Sequence, residues 1–381
     1  MVEAARSVKR GWALSVSPFT FAQPPSGNLK FRGRSTMTRG GLLTTLAAGL
    51  LAGAGTPAAG QDVGPLKTFK DWVVGCDNLR ACVALGSSPD EAETAYVKIT
   101  RGAAADDEPT VSFHVAPDAE PAAPGLSLVL DGAAPTPLQA ALDGSYVVAS
   151  LPAGKAREVA SALKQAKSLA VTLSDGGKAA GSFNISLSGS AAALLFMDDR
   201  QGRVGGVTAL AKPGPAPASS VPPAPRAPLV KALAMKEVEQ PGPLPSGIGK
   251  ANSDDCKDVP PIELRLEGGK ALWGVCTYLA AYNGGFRMWL AGPEGASQVN
   301  FAPPGEKPDD AAELTNPYLS EDGFILNAFA KGRGIGDCGE ATSWTWDGSA
   351  FRLARLMRME ECRGVPQSDW PVLYQAELAR D

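Results

Sequence analysis

"GRGIGDCGEATSWTWDG", residues 332–348, admits three readings: a phosphate-cradling loop, a cluster of metal ligands, or a disulfide-stapled β-hairpin. Gly334-Ile-Gly336-Asp-Cys-Gly339 matches G-x-G-x-x-G letter for letter and comes after the strand-like run "FILNAFA". A dinucleotide site also needs a helix after the glycines, with its N-terminus aimed at pyrophosphate. The residues after Gly339 are instead "EATSWTWDGSAF", β-branched and aromatic around the tight-turn pair Asp347-Gly348, with no helical period. The glycines then serve a left-handed chain path beside Cys338, and the stretch reads as a stapled hairpin.

A hairpin here sets the class of its surroundings. Residues 251–381 carry further strand signals, "IELRLEGG", "ALWGVCTYLAAY", "FRMWLAG" and "AFRLARLMRM", broken by Asn283-Gly284-Gly285 and Asp322-Gly323. Residues 61–210 alternate β-rich runs such as "AYVKIT", "TVSFHVA" and "LAVTLSDGG" with Asp-Gly turns. Two helices are expected among them, Gly154–Lys167 with Val159, Leu163 and Ala166 on one face, and Ser188–Asp199 behind a capping serine. Between the two regions, residues 211–250 are rich in proline and alanine and read as a linker, with room for one short helix over Leu229–Glu239. The expected fold is mainly β. It has two antiparallel β domains, the N-terminal one sandwich-like with two helices and the C-terminal one a meander, joined by the linker.

The first sixty residues differ from the rest, with seven Lys or Arg against the single acid Glu3. From Met37, the expected start, Arg39 is followed by an apolar run from Leu42 to about Ala54 and by small residues up to Gly60. That is the pattern of a secretory signal peptide cleaved near Gly60, and it predicts a periplasmic address. The apolar run is shorter than the roughly 20 residues that span a bilayer, so no membrane span is expected after cleavage. Removal of the first sixty residues leaves 29 basic against 39 acidic residues, a net charge of −10. Such a surface repels nucleic acid and anionic lipid.

All six cysteines lie beyond the expected cleavage point. Proximity in sequence favours Cys76 with Cys82, Cys256 with Cys276 and Cys338 with Cys362, although six thiols permit fifteen connectivities. Each bridge would contribute about 2 to 3 kcal/mol by loop-entropy arithmetic. A metal cluster is disfavoured, because no Cys-x-x-Cys occurs and no histidine lies near a cysteine. Neither a metal nor a cofactor is expected.

Candidate chemistry is sparse. The single histidine, His114, shares a strand face with Ser112 and is expected to point at solvent or at a helix. Ser161-Ala-Leu-Lys164 matches Ser-x-x-Lys but lacks the Ser-Asp-Asn and Lys-Thr-Gly partners of penicillin-binding enzymes, and no catalytic triad is apparent. Asp337 and Glu340 are the carboxylates that could serve an envelope hydrolase, if they approach within the roughly 5 to 10 Å that glycoside hydrolysis needs. The aromatics Trp273, Tyr278, Tyr282, Trp289, Trp344, Trp346 and Trp370 crowd the second region. Alternation puts Trp344 and Trp346 on one face, which would make a glycan or peptide platform if exposed and a core if not. The leading expectation is a non-catalytic module that binds an envelope protein, peptide or glycan, with a hydrolase or a structural assembly module as alternatives.

"FKDWVVGCDNLRACVA" (69–84), "LWGVCTYLAAYN" (272–283) and "KGRGIGDCGEATSWTWDGSAFRLARLMRMEECRG" (331–364) together resemble the bacterial domain-of-unknown-function family 1176, uncharacterised envelope proteins. "DWVVGCDN" (71–78) is also similar to the start of the invasion-associated locus B proteins, periplasmic or surface proteins linked to host-cell entry. Their later cysteine pair is absent here. The resemblances imply an envelope address and bring no activity.

Overall fold

A computed structural model describes residues 62–380 apart from 91–92, 153, 251–252 and 307–312. The leader, the start at Met37 and the cleavage point lie outside the described residues.

The molecule is mainly β, with antiparallel sheets packed in pairs. In the N-terminal half the strands Leu66–Phe69, Trp72–Cys76, Cys82–Ser87, Ala95–Arg101 and Thr110–Val115 run side by side, and Tyr146–Ser150 and Ala140–Asp143 complete a seven-stranded sheet. A four-stranded sheet, Lys178–Ile185, Leu169–Asp175, Pro124–Leu130 and Thr136–Leu138, packs on it. Val97, Val111 and Phe113 from the first sheet meet Leu126, Leu169 and Val171 from the second in one buried cluster. The expected helices form over Ala156–Leu163 and Ser190–Arg200 and close that cluster with Leu163, Leu194 and Met197. Gly189, not Ser188, stands at the start of the second helix, and no side chain caps it.

The C-terminal half contains the expected meander and a second sheet against it. Tyr318–Leu319, Leu326–Lys331, Gly339–Trp346, Phe351–Met359 and Val372–Gln375 pair in sequence order. Facing them are Met235–Glu237, Ile262–Leu266, Ala271–Leu279, Gly284–Gly292 and Gly295–Gln298, with Glu313–Thr315 paired to Gly284–Gly292. Leu264, Leu272 and Met288 of one sheet and Leu326, Trp344 and Leu356 of the other form the shared core.

Residues 211–250 depart from the linker expectation. Leu229–Glu239 is not helical: Leu229–Ala232 pairs in parallel with Glu377–Arg380, and Met235–Glu237 pairs antiparallel with Ile262–Leu266. Ala232, Leu233, Met235 and Ile248 are buried. Backbone groups offered by two neighbouring strands outweigh the helix propensity of this run, because tertiary pairing routinely overrides weak local preference. The two halves also touch directly, through a cluster that joins Val73, Leu85 and Tyr96 to Met359, Val365 and Trp370.

All three expected disulfides are formed: Cys76–Cys82, Cys256–Cys276 and Cys338–Cys362. Among the described residues no helix is long and apolar enough to cross a membrane.

Candidate functional site

Residues 332–348 fold as a stapled hairpin entry. Gly332 N–H donates to the Cys338 carbonyl, and Cys338 is bonded to Cys362. Gly339 has φ 129, and a Cβ there would lie 2.0 Å from the Ala330 carbonyl oxygen, so the position admits glycine alone. The strand Gly339–Trp346 then enters the middle of the five-stranded sheet.

That central position disposes of the tryptophan platform. Trp344 is 3% exposed and Trp346 0%. The Trp344 ring meets Phe301 edge-on at 5.2 Å, and the Trp346 ring tilts on Phe351 at 5.3 Å while its Nε1 donates to the Glu267 carbonyl. Alternation does place both on one face, but that face is covered by the opposite sheet. Both are core residues and neither is available to a ligand.

Asp337 and Glu340 are held by different arginines. Asp337 accepts two hydrogen bonds from Arg333, at 2.7 and 2.6 Å, and one from the Gly364 amide at 2.6 Å. Burial alone would raise its pKa, but the Arg333 hydrogen bonds and the Gly364 amide prevail and hold it below the usual range. It therefore closes the loop that the disulfide staples. Its grouping with Cys338 and Cys362 is a carboxylate beside a disulfide, with no thiolate to offer a cation. Glu340 instead accepts from Arg358, which also donates to Glu306 at 2.8 Å. Glu340 and Glu306 line a cleft of about 300 Å³ with Glu313, Phe301 and Thr342, and Glu313 is paired with Arg287 at 2.7 Å. Each acid in the cleft is committed to an arginine.

Exposed aromatic surface lies elsewhere, at the end of the C-terminal half where three loops meet. Tyr278, Tyr282 and Tyr318 are 38%, 41% and 51% exposed, and Ile335 is 75% exposed. Asn316 holds the loops together: its amide donates to the Tyr282 and Phe329 carbonyls, and its Oδ1 accepts from Gly284 N–H at 2.8 Å. It has φ 48, a left-handed conformation that asparagine tolerates. Asn283 bridges the same loops through the backbone of Lys331. The Tyr278 hydroxyl rests on Thr315 and the Tyr282 hydroxyl on the Gly332 carbonyl. The Tyr278 ring lies across Gly285, where a Cβ would come within 2.1 Å of it. Tyr278 and Tyr282 are thus seated by their hydroxyls, and Tyr278 also by a glycine, with ring surface left to solvent. In the sequence Tyr278 and Tyr282 are marked only as members of an aromatic crowd. Tyr318 is not marked at all, because nothing local distinguishes an exposed tyrosine from a core one.

The second polar assembly centres on His114. It is 7% exposed rather than open to solvent, because residues of the C-terminal half cover it. Its Nε2 lies 2.8 Å from Ser112 Oγ and its Nδ1 lies 3.5 Å from Asp369 Oδ2. The Tyr96 ring stacks on the imidazole at 4.4 Å, and the Tyr96 hydroxyl donates to Asp369 Oδ2 at 2.6 Å. Lys98 Nζ donates to Asp369 Oδ1 at 2.5 Å. Burial lowers the His114 pKa to about 4, against the opposing pull of Asp369 and together with repulsion from Lys98. The Ser112–His114 half of this arrangement is legible from strand alternation. Asp369, 255 residues further on, carries no sequence signal linking it to them.

A relative from Escherichia coli (strain K12), "Uncharacterized protein YpfG", is 30% identical over 338 residues, covering 81% of this chain and 92% of its own. No solved structure matches. Residues 66–377 match the family described as "Protein of unknown function (DUF1176)", and with the match spanning both β halves the chain belongs to that family.

Proposed function

We propose that this is an exported envelope protein that recognises a glycan through the tyrosine rim formed by Tyr278, Tyr282 and Tyr318. The observation that carries the reading is that partly exposed ring surface stands at strand ends beside loops fixed by Asn283 and Asn316, rather than in the core. Sugar C–H faces stack on aromatic rings, and pre-organised loops spare the ordering cost that weakens binding. Export is supported by the basic and apolar leader and by six cysteines that all pair, as expected of an oxidising compartment. A hydrolase at Asp337 and Glu340 is less well supported, since these acids serve separate arginines.

The test is retention of the purified, oxidised protein on insoluble cell-wall polysaccharide. Tyr282→Ala and Tyr318→Ala should each weaken retention about tenfold, the order of one lost stacking contact, and leave the melting temperature within a few degrees of wild type. Equal retention by both variants would assign the rim no role in binding and leave a structural part in an envelope assembly as the better reading.

A further inference from the structure

We propose that Ser112, His114 and Asp369 form an acyl-transfer site that hydrolyses O-acyl esters, with Ser112 as nucleophile, His114 as general base and Asp369 as the positioning residue. This goes beyond glycan recognition and does not depend on it, since the tyrosine rim lies on other elements and shares no residue with this site.

The geometry is that by which such triads are recognised across unrelated folds. Ser112 Oγ is within hydrogen-bond reach of Nε2, and the opposite ring nitrogen faces a carboxylate oxygen. At 3.5 Å the second contact is longer than a formed hydrogen bond, and contacts of this kind commonly tighten only when substrate is bound. The supporting shell is more constrained than the triad alone. Tyr96 is fully buried, stacks on the imidazole and donates to Asp369, and Lys98 holds the other carboxylate oxygen. These contacts orient Asp369 towards Nδ1, so the Nδ1–H tautomer is favoured and Nε2 is left to accept the serine proton. Asp143 and Tyr146, which adjoin this cluster, complete its titratable groups.

Ser112 is partly exposed, whereas His114 and Tyr96 are buried beneath the C-terminal half. The nucleophile is therefore within reach of solvent while its base is buried. Lys98 pairs with Ser112 across the ladder, so the site has one cation close by, held by Asp369 Oδ1. Backbone N–H groups of this strand are engaged by neighbours on both sides, Lys98 and Ser150 being the partners of Ser112. A site with one cation and no free amide pair suits an ester, which is intrinsically more reactive than an amide.

In the reaction Ser112 Oγ bonds to the ester carbonyl carbon as its proton passes to Nε2. The tetrahedral adduct collapses, the bond to the alkoxy oxygen breaks, and Nε2 returns the proton to that oxygen to release an alcohol. Water then attacks the acyl-serine with Nε2 as base, which frees a carboxylic acid and restores the serine hydroxyl. No oxidant, metal or further reactant is required.

The experiment uses the full oxidised protein and an alkyl fluorophosphonate, which phosphonylates a base-activated serine with loss of fluoride. Peptide mass spectrometry should find the adduct on Ser112. Labelling should be abolished in Ser112→Ala and fall at least tenfold in His114→Gln, with near-ultraviolet circular dichroism reporting that each variant is folded. Because the chain has one histidine, its ring nitrogens give a single set of ¹⁵N signals. Those signals should show the Nδ1–H tautomer in the wild type and a shift towards Nε2–H in Asp369→Asn, which a purely structural aspartate would not cause. Absence of a Ser112 adduct on folded protein between pH 5 and 9, or labelling indifferent to His114→Gln, overturns the proposal.

Discussion

His114 shows how a residue's surroundings set its acid–base behaviour. In an unfolded chain an imidazole titrates near 6.5, whereas burial lowers His114 to about 4 in the folded protein. The unfolded state therefore takes up the proton first as pH falls. Stability from this residue is complete above about pH 6.5 and declines from there towards pH 4. Between about pH 7 and pH 5 the loss amounts to about 2 kcal/mol on the linkage relation. Urea unfolding at the two values should show a drop of that order in the wild type and a smaller one in His114→Gln. A drop of equal size in both would place the acid sensitivity elsewhere. The sequence leads one to expect His114 to face solvent or a helix, and only half of its setting is visible there. Strand alternation correctly puts Ser112 beside it, but cover supplied by a distant segment has no local signature.

Among the secondary-structure elements, the segment whose sequence misleads is the most instructive. The run "LVKALAMKEVE" has good helix formers and bracketing prolines, and its isolated preference is helical. In the fold, Leu233 N–H donates to the Trp346 carbonyl at 2.9 Å and Met235 N–H to the Gly323 carbonyl at 2.8 Å. Leu233 is 5% exposed in the core that holds Trp344 and Trp346. Leu233→Ala should therefore cost about 2 to 4 kcal/mol in denaturant unfolding, as truncation of a packed leucine does. A true linker residue would show a change within about 0.5 kcal/mol. The hairpin at 339–359, by contrast, is legible because its signals are local: alternation, an Asp-Gly turn and no helical period. The two cases differ in whether the partner strand is the next one in sequence.

Across the described residues, composition suggests two domains on a Pro/Ala-rich linker, and the contacts describe one body. Gly64 N–H donates to the Leu373 carbonyl, and Asn78 forms a two-way hydrogen-bond pair with the backbone of Gln375. Trp370 lies where the halves meet: it is 2% exposed, its Nε1 donates to the Val365 carbonyl, and its ring meets Phe329 edge-on at 5.6 Å. Its cluster partners Val73, Leu85 and Tyr96 come from the other end of the chain. Shared burial of this kind makes the unfolding of one half expose apolar surface on the other, so neither half should melt alone. Calorimetry of the oxidised protein should give a single transition. Trp370→Ala, a change that costs about 3 to 5 kcal/mol in a packed core, should either lower that transition as a whole or split it in two by uncoupling the halves. Two resolved transitions already present in the wild type, with one of them untouched by Trp370→Ala, would show that the 211–250 segment does act as a tether. The same contact surface carries Asp369 onto the sheet that bears Ser112 and His114, so weakening it should disturb the His114 signals before either half loses its own core.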